Sequence, residues 1–389
     1  MSVRLGVERV LAGDFLGLRS GRIGLIHHQA SVTSDLTSSV VALLKDGFDV
    51  QVLFGPQHGA RGEKQDNMIE SGDYIDPATG LRVHSLYGGV RKPTPAMLEG
   101  LDFVLFDLQD VGVRIYTFVW TMALAMEACA EAGLRFVVLD RPNPIGGILR
   151  EGPVLRPGFE SFVGLHPIPL RHGLTVGELA QWMNEERSIG CDLQVVHCHG
   201  WQRDMLWHDT GLPWVMPSPN LPTVDSCIVY PGMVLLEGTN LSEGRGTTRP
   251  FELFGAPYLN PQNLAEEVLP LLSPGVTIHP RYFEPAFQKH QGVICGGGQL
   301  HVSDVKTFRP VHTALVLLVA ARSLAGEALQ WRLPPYEYED ELMPIDMLWG
   351  HDGLRLGIDA GKSGEKILGE TVQDLRAFDE SITNYLIYE

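Results

Sequence analysis

The sequence predicts an α/β protein: a parallel sheet with covering helices in the first half, then a smaller mixed α+β domain. Two observations carry this. Short apolar runs alternate with helical patterns along the first half, and such alternation builds a parallel sheet with right-handed crossovers. After residue 228 the texture changes, with Gly and Pro dense from Pro231 to Pro261. The chain therefore divides into domains 1–228 and 229–389.

Each element follows from its local pattern. Arg22–His27 (RIGLIH), Asp49–Phe54 (DVQVLF), Phe103–Asp107 (FVLFD), Arg135–Asp140 (RFVVLD) and Leu193–His197 read as buried strands. Leu36–Lys45 reads as a helix, with Leu36, Val40, Leu43 and Leu44 on one side. Thr117–Ala132 lacks Gly and Pro and is rich in Ala and Met, so it also reads as a helix. Thr175-Val176-Gly177-Glu178 is a capping box, because Thr175 can accept an orphan backbone N–H while Glu178 reaches back. The second domain shows helices at Pro261–Leu272, Val311–Ala325 and Val372–Tyr388, and short strands at Val276–His279 and Gln299–Val302. Gly296-Gly297-Gly298 lacks the spacing of a dinucleotide fingerprint and reads as a turn or bulge.

Position matters more than any single motif. Polar, Gly- and Pro-rich segments follow four predicted strands: His28–Ser31, Gly55–Gly62, Leu108–Tyr116 and Arg141–Gly147. In open α/β sheets ligands bind outside those strand ends. Asp107, Gln109, Asp110, Arg114 and Tyr116 leave one strand end together; Asp140, Arg141 and Asn143 leave another. His172 stands at a helix entrance. The segment 238–248 (GTNLSEGRGTT) has too many glycines for a helix and too many hydrogen-bonding groups for a linker, which marks a binding loop. Glu237, Glu243 and Arg245 supply acid and anion-pairing groups there. We expect a cleft between the sheet edge and this loop.

Composition excludes several classes. The 389 residues are 44% hydrophobic and 20% charged, as in ordinary globular proteins rather than disordered or coiled-coil chains. A net charge of −17 repels phosphate backbones and anionic membranes, so neither nucleic acid nor membrane is expected as a partner. The longest apolar run, near Ala314–Ala321, is too short to span a bilayer. MSVRLGVERVLAGDF holds no apolar core of signal-peptide length, and five cysteines are odd and sparse, so a cytoplasmic location is expected. The pair His27-His28 alternates faces, and Cys191, His197, Cys198 and His199 match no zinc spacing, so no metal is expected. Oligomeric state stays open.

Eight segments in order resemble one family: LFGPQHGARG (53–62), TGLRVHSLYG (79–88), DLQDVGVRIYTF (107–118), VLDRPNPIGG (138–147), PLRHGLTVGELA (169–180), PSPNLPT (217–223), YPGMVLLEGTNLSEGRGTTRPFE (230–252) and GAPY (255–258). They are similar to the exo-β-N-acetylmuramidases of glycoside hydrolase family 171, formerly a domain of unknown function. The resemblance implies a Rossmann-like N-terminal domain, a smaller C-terminal one and an active-site cleft between them. It implies an exo-acting glycoside hydrolase that needs no cofactor and releases N-acetylmuramic acid, or a related acetamido sugar, from peptidoglycan-derived fragments, in a role such as cell-wall recycling.

On this reading catalysis falls to Gln57, His58, Asp110 and Glu243. Substrate binding falls to Gln29, Arg61, Glu70, Arg114, Tyr116, Asp140, Arg141, Asn143, His172, Asn220, Asn240 and Arg245. The lactyl carboxylate calls for an arginine, for which Arg114, Arg141 and Arg245 are candidates. The chain departs from the family in two places. Gln57 stands where the resemblance implies a glutamate acid/base, and His28-Gln29 stands where Asn-Gln is common. A carboxamide has no acidic proton to give, so either another acid (Glu63, Asp66, Glu70 or Glu243) serves, specificity has changed, or the protein is an impaired sugar binder. A metal-assisted hydrolase on the same scaffold is a further alternative. A Rossmann oxidoreductase is disfavoured, because no G-x-G-x-x-G follows the first strand.

Overall fold

The computed structural model describes residues 3–65 and 68–389, and of Leu16 the backbone alone; Asp66 thus lies outside the described residues. The strands, in chain order, are β1 (Arg22–His27), β2 (Asp49–Gly55), β3 (Tyr74–Ile75), β4 (Arg82–Ser85), β5 (Phe103–Asp107), β6 (Arg135–Leu139), β7 (Glu151–Val154), β8 (Pro169–Arg171), β9 (Asp192–Val196), β10 (Leu253–Ala256), β11 (Val276–Phe283) and β12 (Cys295–Val302). A seven-stranded sheet takes the order β3-β4-β2-β1-β5-β6-β9. Only β3 pairs antiparallel within it. β1 is the switch point, since the chain winds outward to β2 and β4 on one side and then to β5, β6 and β9 on the other. The crevice that ligands use in such sheets opens there.

The inner strands are buried almost throughout, as their unbroken apolar runs require. Helices Phe118–Ala132 and Val176–Glu186 pack on β6 and β9, and on each other. The capping box is present: Thr175 Oγ1 accepts from the Glu178 N–H at 3.2 Å, and Glu178 accepts from the Thr175 N–H at 3.0 Å. The predicted helix from Leu36 begins only at Ser39. Leu36 has φ of +67° and is 55% exposed, so it belongs to the preceding turn rather than to the apolar side.

The second half carries a three-stranded antiparallel sheet, β10-β12-β11. The triple glycine is neither turn nor bulge. It lies inside the central strand β12, paired with Ala256, Gly255 and Phe254 on one side and with Tyr282, Arg281 and Pro280 on the other. A Cβ on Gly297 would overlap the carbonyl of Phe254, and one on Gly296 would overlap that of Leu259. Close backbone approach, not flexibility, requires these glycines. Helix Pro310–Ala325 packs on helices Val224–Met233 and Pro261–Val268. With the turn that follows it, it is long and apolar enough to cross a membrane, but half of that stretch is buried in the protein, as suits a core helix.

The predicted boundary at residue 228 falls inside helix Val224–Met233. The last predicted helix stops at Ser381, and a short turn, Thr383–Tyr385, follows. The chain end then returns to the first half. Tyr388 Oη donates to Asp140 at 2.5 Å and accepts from the Cys198 N–H at 2.8 Å.

Gly297→Ala is expected to destabilise the protein by about 3 kcal/mol or more, because the central strand cannot move away from β10. Urea denaturation checks this.

Candidate active site

β2 ends in Gly55, and the next turn places Gln57 and His58 in a cleft. Tyr116, Thr117 and Ser218 line it from the first half, and Tyr230, Glu237, Arg245, Tyr336 and Glu337 from the second. Gln57 is buried and fully engaged. Its Oε1 accepts from Thr117 Oγ1 at 2.6 Å, and its Nε2 donates to Tyr87 Oη at 3.0 Å and Glu337 Oε1 at 3.4 Å. Tyr87 Oη in turn donates to Glu337 Oε2 at 2.7 Å.

Two carboxyls share this cleft with pKa values shifted in opposite directions. Burial pushes both upward. At Glu237 the Arg245 guanidinium, donating at 2.8 Å, and the Tyr336 hydroxyl, also at 2.8 Å, outweigh it and hold the carboxyl below its ordinary value. Among the described residues no cation is bonded to Glu337, and its pKa rises through burial and the nearby negative charge of Glu237, against the hydrogen bonds from Tyr87 and Gln57 and the more distant charge of Arg91. Such a split separates a carboxylate held ionised from one whose proton is held more tightly than usual, the division of labour used in acid–base hydrolysis. Residues 337 and 338 have φ of +48° and +65°, left-handed values unusual for residues with side chains.

His58 is neutral, since burial lowers its pKa to about 4. Its Nδ1 lies 2.8 Å from the Lys64 carbonyl, which can only accept, so Nδ1 carries the proton and Nε2 is free to accept. Arg245 also lies 3.4 Å from Glu243 through Nε and stands over the Phe251 ring at 5.2 Å. Its Nη1 is buried without a partner.

The structure brings Gln57, His58, Tyr116 and Arg245 together in the cleft, with Asn220 alongside Ser218 and Leu221. Asn220 donates to the Gln65 carbonyl at 2.9 Å, and Gln29 at the mouth donates to the Met216 carbonyl at 3.0 Å. The other candidates are placed elsewhere. Glu243 stands behind Arg245, tied to Lys289 at 2.9 Å, and does not line the cleft. Asp110 accepts from the Gly112 N–H and faces His172 at 3.2 Å, both buried beneath the surface of the site. Arg114 donates to the carbonyls of Pro153, Ile168 and Leu348 and, among the described residues, pairs with no carboxylate; burial lowers its pKa to about 9. It staples the β7–β8 hairpin to helix Pro344–Trp349.

Asp140 serves the start of helix Val176–Glu186, accepting from Thr175 Oγ1 and the Gly177 N–H, each at 2.8 Å. Burial raises its pKa to about 6. Arg141 forms a fork on Asp107 at 2.7 and 2.9 Å, almost wholly buried. Asn143 bonds the Leu174 carbonyl, and Asn240 bonds Tyr258 and the Ala328 carbonyl. Arg61 stacks on Tyr74 near Asp76, and Glu70 and Glu63 are exposed. Strand ends supply polar residues for two purposes, and most here close the sheet edge rather than face the cleft.

Sequence reasoning missed Glu337, Tyr336 and Tyr87, and named Glu237 only as one of the acid and anion-pairing groups around the 238–248 loop. The alternation of tyrosine and acid after Pro334-Pro335 is the signal that was present. Among the described residues no group of three or more His, Cys, Asp or Glu side chains could hold a metal ion.

Two family models cover the chain: exo-β-N-acetylmuramidase NamZ, N-terminal, over residues 23–225, and NamZ, C-terminal, over 228–388. The chain belongs to the exo-β-N-acetylmuramidase NamZ family. It is 46% identical to the peptidoglycan β-N-acetylmuramidase NamZ of Bacillus subtilis (strain 168), over 99% of this chain and 91% of that one. Two crystal structures of DUF1343 family proteins from Bacteroides fragilis share the fold. One has a TM-score of 0.90 at 32% identity and the other 0.79 at 30%; each covers 100% of this chain and 99% of its own.

Within this NamZ family member, Arg141→Met is expected to cost about 3–5 kcal/mol, because it strands the buried Asp107 charge. Adding Asp107→Asn recovers part of the loss. Chemical denaturation of the single and double variants checks both.

Proposed function

We propose that this chain is an exo-acting glycoside hydrolase that removes a terminal N-acetylmuramoyl residue from peptidoglycan fragments, with Glu337 as proton donor. The observation that carries the assignment of the donor is the split between Glu337 and Glu237. Glu337 gives its proton to the glycosidic oxygen as the C1–O bond breaks, and the rest of the glycan leaves as an alcohol. Ionised Glu237 offsets the positive charge that grows at C1. Water then supplies hydroxide to C1, and its proton restores Glu337. Gln57 replaces a carboxyl by an amide that holds Glu337 in place, so the missing acid at position 57 does not disable the site. Arg245 Nη1, buried and unpartnered, suits the lactyl carboxylate of the terminal sugar.

The five cysteines are all free and buried. That favours a reducing compartment, where the substrates are fragments taken up for reuse.

Glu337→Gln is expected to lower kcat by about 100-fold or more on a chromogenic N-acetylmuramide, with little change in fold. Wild-type turnover in that variant would remove Glu337 from the proton-transfer position. The sign of the pH dependence follows from the same assignment. An acid must be protonated to act, so the rate falls as pH rises through the pKa of Glu337, which lies above the ordinary carboxyl value. Gln57→Glu removes a hydrogen bond to ionised Glu337 and adds a like charge beside it. Both effects move the alkaline limb of kcat to higher pH. A limb that stays in place or moves down would contradict the assignment.

A further inference from the structure

Arg91 is a half-buried arginine next to the cleft that has no contact role in the reaction above, although its charge reaches Glu337. Its guanidinium lies over three rings at once: Tyr338 at 4.3 Å, Tyr87 at 4.5 Å and Phe162 at 4.8 Å. Nη1 donates to the Gly88 carbonyl at 3.1 Å. Among the described residues it makes no ion pair within 4 Å. The contrast with Arg245, which two carboxylates neutralise, matters in a chain of net charge −17. Arg91 can meet an anion with a charge that no ion pair offsets, whereas at Arg245 only the unpartnered Nη1 is left for one.

Its place narrows the ligand. Arg91 and Tyr338 do not line the closed part of the cleft, whereas Glu337, next to Tyr338 in the chain, does. Tyr87 joins the two, bonded to Glu337 through its hydroxyl and covered by Arg91 on its ring. An exo-acting enzyme keeps the terminal sugar inside and lets the rest of the glycan pass out beside the proton donor. Tyr338 is 48% exposed there, so the part of its ring that Arg91 leaves uncovered offers an apolar surface to a pyranose.

The geometry points to a leaving-group subsite at Tyr338 and Arg91 that accepts a saccharide carrying a carboxylate. The inference rests on the hydrolase reading above and adds to it the chemistry of the departing portion. Stacking on three rings fixes the plane of the guanidinium before substrate arrives, so little side-chain freedom is lost when a carboxylate binds.

The test uses two synthetic substrates with the same terminal muramoyl sugar. One has a neutral N-acetylglucosamine leaving group. In the other that group is extended by a further muramoyl residue with a free carboxylate. The readout is the ratio of kcat/KM for the charged over the neutral substrate. Arg91→Met is expected to lower this ratio about tenfold, the scale of one charge-assisted contact. Arg91→Lys is expected to restore most of it, and added salt is expected to lower the wild-type ratio. Equal losses on both substrates, with the ratio unchanged, would overturn the subsite and leave Arg91 as a support for the Glu337 loop. Failure of the wild type to turn over either substrate would overturn the hydrolase reading itself.

Discussion

Arg245 lies between Glu237 and Glu243, and the chemical state of the cleft follows from that one contact. Burial alone would drive every carboxyl in this region towards the neutral form. The guanidinium reverses the outcome for Glu237 alone among the two carboxyls of the cleft. The charge that it preserves there then helps to raise the pKa of Glu337. The two functional states are therefore coupled, and neither can be tuned without the other. Lys289 completes the arrangement by holding Glu243 from behind, so that Arg245 does not swing away from the cleft.

The scaffold meets this requirement by joining parts that are distant in sequence. The sheet edge supplies Gln57 and Thr117, a turn after helix Val224–Met233 supplies Glu237, and a loop near residue 337 crosses back over Tyr87. The left-handed residues 337 and 338 are the local cost of that crossing. Hydrogen bonds from Tyr87 and Gln57, and the sulfur of Met68 facing the Glu337 N–H at 3.2 Å, hold the loop there.

Much of the scaffold was legible because strands buried on both faces read as unbroken apolar runs. β1 and β5 fall where their sequences place them. The region of the cleft was legible as well, since strand-end loops in such sheets converge. Individual roles were less so. Asp140, Arg141 and Asn143 have the residue types of a binding site, yet they satisfy backbone groups and a buried charge, a distinction that only three-dimensional partners make. Glu337 was missed for the converse reason, because its importance comes from what lies over it in space rather than from its neighbours in sequence. Gly296–Gly298 shows the same limit, since glycines that admit a neighbouring backbone look like glycines that permit a turn.

The return of the chain end to Asp140 has a consequence for how the molecule behaves as a whole. Tyr388 belongs by sequence to the second half, yet its hydroxyl completes the hydrogen bonding of a buried carboxyl at the end of β6 and caps the Cys198 backbone. A fragment ending near residue 226, where one family model gives way to the next, would leave that carboxyl short of a donor and open to water at the sheet edge. The two halves are thus interdependent, like a buckle whose tongue is carried by the far end of the strap, and the molecule should melt as one unit rather than as two.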